Sequence, residues 1–257
     1  MLVFIVPLKS AKVSKSWKYV CQIFERCVRS ICSQTDSNFR VVVVCHEKPN
    51  IQFNHPHLHY IEVDFPLPED LGGKRRDKAK KTIKGLMYAR QFSPTHIMVA
   101  DPDDCLSRHT ADFTNQHPNS TGWFLDKGYV YQEKSPFIYY RKSNFHKWCG
   151  TCNIIRADLC PLPDTNNDYP ENLIRYYYST NHKNIEYTMS KEGNPLNRFP
   201  FIGAVYIVGH GENVYQTGFS SLHNANRGKV LFQIKEMLKF RPIIPSIRNE
   251  FGLYQIV

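Results

Sequence analysis

Two apolar runs of strand length, Leu2–Val6 and Arg40–Cys45, bracket a segment of helical periodicity, and few folds accommodate that pattern. Leu2–Val6 is apolar at every position, so neither face can be left to water. It reads as a parallel strand covered on both sides, ended by Pro7, Lys9 and Ser10. From Trp17, the residues Val20, Ile23, Phe24, Cys27, Val28 and Ile31 recur at helical spacing, which places Arg26, Arg29 and Ser30 on the wet face and a helix end near Gln34-Thr35. Arg40–Cys45 holds four consecutive valines, too short for a buried helix and rich in β-branching, and Leu58–Val63 follows as an alternating strand. Asp77–Arg90 carries Ala79, Ile83, Leu86 and Met87 on one side, which predicts a second helix, and Pro94 separates it from a strand at His96–Ala100. Strands alternating with helices predict an α/β class with a mostly parallel, doubly wound sheet. Such sheets take their ligands beyond the carboxyl ends of the strands.

After Leu106 the character changes. Tyrosine and asparagine are frequent, prolines punctuate, and strands predicted at Trp123–Tyr131 and Phe201–Val208 lack evenly spaced crossover helices. This half reads as a smaller mixed α+β lobe, with an amphipathic helix at Val230–Phe240 and a proline-broken tail.

With 257 residues, 42% hydrophobic and 22% charged, the chain is an ordinary globular sequence, which excludes disordered and fibrous classes. Its formal charge of +10 implies an anionic partner. The longest apolar stretches, Met1–Leu8 and Phe201–Gly209, are far shorter than the roughly 20 residues that span a bilayer, and no cationic segment precedes the first. The expectation is a soluble protein without a signal peptide. Eight scattered cysteines suggest buried thiols in a reducing compartment, with the cytoplasm as the default location.

The run Asp101-Pro102-Asp103-Asp104 begins where the strand His96–Ala100 ends. Two carboxylates one residue apart can address one hard cation, and magnesium or manganese prefers such oxygens shared with substrate phosphates. The same four residues also suit an ordinary acidic turn. Their context adds a family resemblance. Val28-Arg29-Ser30-Ile31-Cys32-Ser33-Gln34-Thr35, then Asn38-Phe39-Arg40 and Val41–Val44, resembles the helix-to-strand passage of GT-A glycosyltransferases related to family two. Gly85-Leu86-Met87-Tyr88-Ala89, His96–Ala100 and the acidic run are similar, in order and spacing, to the helix, strand and Asp-x-Asp-Asp motif of those enzymes.

The resemblance covers roughly residues 2–108 and implies a GT-A type, Rossmann-like sheet. Residues 1–108 would then be the nucleotide-sugar (donor) half and residues 109–257 the acceptor half, in one continuous domain. It implies Asp103 as the metal ligand, Asp101 at the ribose or a metal-bound water, and Asp104 in support. It maps the nucleoside onto Pro7-Leu8-Lys9 and Cys45-His46-Glu47, although family members commonly carry aspartates after the second strand.

Lys74, Arg75, Arg76, Lys78, Lys80, Lys81 and Lys84 concentrate cations around the predicted start of the second helix, where the dipole disfavours them. An anion nearby would answer that. The resemblance implies a diphosphate gripped by the helix start with Lys78 or Lys81, and Asp77 touching the nucleoside; the alternative is a solvated or membrane-facing basic surface.

Inverting transfer also needs a carboxylate base. The candidates are Asp158, Asp164, Asp168, Glu171 and Glu186, with Asp168 preferred for its place before a helix at Glu171–Tyr178. As many GT-A enzymes add a histidine to the metal, His210 in Gly209-His210-Gly211 is the leading candidate, ahead of His182 and His223. Gly150-Thr151 and Trp148 fall where acceptor contacts are expected. Cys149-Gly-Thr-Cys152 has zinc or redox spacing but no second such pair.

These readings converge on a manganese- or magnesium-dependent hexosyltransferase-like enzyme. It would move a sugar from a UDP-type donor to a glycan, lipid-linked or small-molecule hydroxyl, with possible peripheral contact to a membrane. A nucleotidyltransferase would want a glycine-rich loop after the first strand, and Leu8–Ser16 has no glycine. The other alternative is a non-catalytic basic module, derived from a transferase, that binds glycan or membrane surface through Lys74–Lys84. No nucleic-acid-binding motif is present, and nothing in the sequence indicates oligomeric state.

Overall fold

The computed structural model describes residues 1–163, 169–179, 183–212 and 236–256. The elements in chain order are β1 (Leu2–Pro7), α1 (Trp17–Ile31), β2 (Phe39–Cys45), β3 (Leu58–Glu62), α2 (Leu71–Ala89), β4 (His96–Val99), β5 (Cys105–Leu106) and α3 (Thr110–Asn115). There follow β6 (Gly122–Phe124), β7 (Gly128–Gln132), β8 (Phe137–Arg141), β9 (Asn153–Arg156), α4 (Glu171–Ser179), α5 (Ile185–Lys191), β10 (Asn197–Arg198), β11 (Ala204–Val208), β12 (Phe240–Pro242) and a last helix, α6 (Pro245–Phe251).

The main sheet has the order β10-β6-β9-β4-β1-β2-β3, with β4, β1, β2 and β3 parallel and β9 antiparallel to both its neighbours. Alternation along β1 explains why every residue there is apolar. Leu2, Phe4 and Val6 pack with Phe24, Cys27, Val28 and Ile31 of α1, while Val3 and Ile5 pack with Leu86 and Ala89 of α2. Burying each such side chain contributes about 1.5–3 kcal/mol. α2 lies so close that a Cβ on Gly85 would come within 2.5 Å of Ile5 Cγ2. The α/β class and the mostly parallel sheet expected from the alternation are the architecture observed.

A second sheet, β12-β8-β7-β11-β5, contains one parallel pair, β11 with β7. β4 belongs to the first sheet and β5 to the second, so residues 100–104 are the passage between them.

Several boundaries differ from those read in the sequence. α1 ends at Ile31, and Arg26 and Ser30 are fully buried instead of facing water. Arg26 makes a two-pronged pair with Glu133 (3.1 and 2.7 Å) and donates to the Tyr254 carbonyl (2.9 Å), while Ser30 Oγ bonds the backbone of Leu106. The second sheet and the C-terminal segment cover the side of α1 that periodicity assigns to solvent.

α2 starts at Leu71, six residues before Asp77, because the Asp70 carboxylate caps it through the Gly73 amide at 2.6 Å. Lys78 therefore sits two turns inside the helix, away from its N-terminus. Trp123–Tyr131 divides into β6 and β7, which belong to different sheets. The strand predicted at Phe201–Val208 starts at Ala204. Of Val230–Phe240, residues 230–235 lie outside the described residues and Phe240 begins β12 instead of ending a helix. Among the described residues no helix is long and apolar enough to cross a membrane. All eight cysteines are free thiols.

Candidate active site

The acidic run leaves the carboxyl end of β4 beside β1: the Ala100 amide still donates to Ile5 O (2.9 Å), and the chain then turns, with Asp104 N donating to Asp101 O (3.3 Å). Three carboxylates follow in four residues, and each has a different environment. Asp104 points inward, 1% exposed, and accepts from Thr151 Oγ1 (2.6 Å), Ile207 N (3.1 Å) and the Cys149 thiol (3.2 Å). It thereby ties the turn to the loop before β9 and to β11. Burial, reinforced by the charges of Asp103 and Asp101, holds its carboxyl well above the ordinary range.

Asp103 meets His210 across the site, Oδ2 to Nε2 at 3.1 Å. Desolvation pushes its pKa up, but the hydrogen bond and charge of His210, with the charge of Lys78, outweigh that and leave it lowered. His210 follows β11, whose Ile207 amide is anchored on Asp104, so the same turn sets both partners. Gly209 and Gly211 on either side have left-handed backbone (φ 78° and 77°), which favours glycine. The Glu212 amide donates to His210 Nδ1 (3.3 Å), so in the neutral ring Nε2 carries the proton and donates to Asp103.

Asp101 is held at Oδ1 by the half-exposed ammonium of Lys78, and its backbone N–H donates to Thr151 Oγ1 (2.8 Å). Partial desolvation lowers the pKa of Lys78, but Asp101 raises it further, leaving the ammonium above its ordinary value. Oδ2 of Asp101 lies where a Cβ on Gly150 would be, at 2.1 Å, so only glycine leaves this carboxylate its position.

Around the ends of β1 and β2 the polar groups bond mainly to one another. Pro7 and Leu8 are buried, and the Leu8 carbonyl accepts from Lys81 Nζ at 2.7 Å. Lys81 is itself fully buried and pairs with Asp77 Oδ2 (2.8 Å), one turn away on α2; burial lowers its pKa against the pull of Asp77. It props the β1 end from inside. Glu47 accepts from Ser10 Oγ (3.0 and 3.1 Å) and from the Ala11 amide, and so fixes the loop after β1. Lys9 pairs with Glu212, which also accepts from the Ser16 amide (2.9 Å) and ties that loop to the one carrying His210.

Asp77 Oδ1 is buried without a hydrogen-bond partner and lies 4.0 Å from His46 Nε2. Asp77 also lines a cleft of about 360 Å³ with Phe65, Pro66, Leu67, Arg76 and Lys80. His46 Nε2 donates to Phe65 O (2.9 Å), which leaves its buried Nδ1 without a partner.

Asp168, Asp164, His182 and His223 lie outside the described residues. Glu171 is exposed and paired with Arg76 (2.5 and 2.6 Å), Asp158 with Arg156 (2.7 Å), and Glu186 lies 3.3 Å from His146. Cys149 and Cys152 are fully buried, and burial pushes both thiols well up. No cluster of three or more His, Cys, Asp or Glu able to hold a metal occurs among the described residues. Thr151 carries no signal in the sequence for its two bonds to the acidic run, because they join positions 47 and 50 residues apart.

No family model matches this sequence, and no curated protein matches it. Among solved structures it is similar to Staphylococcus aureus TarS 1–349 in complex with UDP-GlcNAc, with a TM-score of 0.48 and 15% identity over 84% of this chain and 61% of that one. The same TarS fragment in complex with UDP gives a TM-score of 0.45 and 15% identity over 80% of this chain and 60% of that one. Francisella tularensis IspD, a 2-C-methyl-D-erythritol 4-phosphate cytidylyltransferase, gives 0.41 and 13% over 88% of this chain and 98% of that one. Both are GT-A-like folds, and the likeness is one of fold. The chain spans about three fifths of the TarS fragment.

Proposed function

We propose that this protein is a metal-dependent glycosyltransferase that moves a sugar from a nucleotide-diphosphate sugar of UDP type to an acceptor hydroxyl, with inversion. The observation that supports it most is the meeting of Asp103 with His210, 107 residues apart in sequence, at the carboxyl end of a parallel strand with Lys78 alongside. A carboxylate oxygen and an imidazole nitrogen 3.1 Å apart suit manganese or magnesium, which binds through one or two protein groups and fills its remaining positions with phosphate oxygens and water. Asp103 and His210 would hold it, with Asp101 able to join once Lys78 turns away. When bound, such a cation neutralises the charge developing on the departing diphosphate.

The chain's own groups have defined tasks in this reading. To present Nε2 to a cation, His210 would take its other tautomer, with the proton moved from Nε2 to Nδ1 and the Glu212 amide bond at Nδ1 given up. Lys78, freed from Asp101, turns its ammonium to the diphosphate. Asp77, which lines the cleft and whose buried Oδ1 has no hydrogen-bond partner, would face the nucleoside. Asp168 is the proposed base that takes the acceptor proton. The acceptor is a glycan, a lipid-linked sugar or a small molecule, and nucleic acid is not a partner.

A nucleotidyl transfer reading has less support, because the loop after β1 has no glycine and its Ala11 amide is already taken by Glu47. Calorimetry with UDP tests the proposal. In manganese the protein should bind UDP, and Asp103→Ala should weaken binding by about tenfold or more, since a charge-assisted contact is worth about 1.5–3 kcal/mol. No binding by the unaltered protein, or equal binding by both, would rule it out.

A further inference from the structure

Arg141 closes β8, and its guanidinium carbon lies over the indole of Trp148, 4.2 Å from the ring centroid. The turn between them is fixed: Asn144 adopts left-handed backbone (φ 56°), its amide donates to Asp126 Oδ1 (2.7 Å), and the Phe145 amide donates to Asp126 O (3.0 Å). Arg141 is half-buried and burial lowers its pKa, yet no carboxylate among the described residues lies within ion-pair distance. Its Nε makes one long bond to Asn144 O (3.4 Å), and both Nη groups have no hydrogen-bond partner among the described residues. The nearby carboxylates are engaged elsewhere, Glu236 with the Tyr139 hydroxyl and Lys239, and Asp126 with the turn itself. Between Glu133 and Asp158 the sequence has no Asp or Glu, while Lys142 and Lys147 are exposed beside the stack.

The stack adjoins, along the chain, the loop that meets the acidic turn. Trp148 is two residues from Gly150, a span of at most about 7 Å, and Gly150 abuts both Asp101 and Lys78. A planar guanidinium pinned on an indole presents its remaining N–H groups as a fork matched to an oxyanion.

We propose that Arg141, oriented by Trp148, is the acceptor-side subsite, and that the acceptor carries a phosphate or carboxylate close to the hydroxyl that receives the sugar. The word acceptor rests on the transferase reading above; the anion site does not. Glycerol 3-phosphate, glycerate and neutral glycerol, titrated separately and followed by tryptophan fluorescence and calorimetry, distinguish the anions. The expected result is saturable binding of one or both anions but not of glycerol. The fluorescence change should vanish in Trp148→Phe, and affinity should fall about tenfold or more in Arg141→Gln, with partial recovery in Arg141→Lys. UDP binding in manganese should be unchanged in Arg141→Gln.

Absence of anion binding by the unaltered protein, or anion binding by Arg141→Gln equal to it, overturns the subsite even where UDP binds. Arg141-dependent anion binding without UDP binding keeps the subsite and removes the donor reading.

Discussion

Asp101, Asp103 and Asp104 share one turn, yet a lysine, a histidine and a set of buried donors divide them. The run itself was legible in the sequence because it follows a strand. Which carboxylate turns inward was not, because Thr151 and Ile207 reach Asp104 from 47 and 103 residues away. Gly150 makes the sharpest residue-scale prediction. A Cβ there would displace Asp101 Oδ2, at 2.1 Å, so Gly150→Ala should weaken manganese-dependent UDP binding several-fold by calorimetry. The thermal midpoint should change little, because only a partly exposed carboxylate has to move; a large loss of stability with intact binding would contradict this.

At the scale of elements, helices and parallel strands were read where their periodicity is set by the sheet they cover, and misread where a second layer intrudes. α1 illustrates both outcomes. Val20, Phe24, Cys27, Val28 and Ile31 face the core as the spacing requires, but Arg26 is covered by Glu133, just after β7, and by the C-terminal segment, which no local pattern reveals. Removing one partner of a buried pair strands the other, so Arg26→Ala should cost about 3–5 kcal/mol in urea unfolding. Arg29→Ala, which breaks an exposed pair with Glu25 and a cation–π contact with Phe53 (4.7 Å), should cost no more than about 1.5 kcal/mol. Similar costs for the two would mean that Glu133 is not sequestered. Periodicity places the start of α2 at Asp77, six residues late, because Gly72-Gly73 weaken the helical pattern and the cap at Asp70 lies outside it. Asp70→Ala should cost about 1 kcal/mol in the same measurement.

Across the whole molecule, two sheets meet at the acidic run, so the candidate site lies where the parallel β1–β4 layer passes into the mixed one. The first layer was readable because β1 and β2 are apolar on both faces, whereas the second was read only in part, at β7 and β11, because its short strands pair at long range. One feature of the joint sheet makes stability depend on pH. His96 is fully buried between Ser120 O (2.9 Å) and the Trp123 ring (5.1 Å), and burial holds its pKa below the ordinary 6.5. The unfolded chain therefore takes up this proton before the folded one. Stability from His96 is complete above pH 6.5 and is lost as pH falls below it, by at most about 1.4 kcal/mol per pH unit for one group. Urea midpoints should fall from pH 7.5 to 5.5, and less steeply in His96→Gln; parallel declines would remove His96 as a cause.

The account as a whole depends on a cation and a diphosphate meeting at the acidic run, and a crystal structure with UDP and manganese measures that directly. It should show the manganese anomalous peak in contact with Asp103 and the diphosphate, with Lys78 moved off Asp101 towards the phosphates. Nucleotide bound elsewhere, or manganese away from Asp103 with the Lys78–Asp101 pair intact, would contradict it.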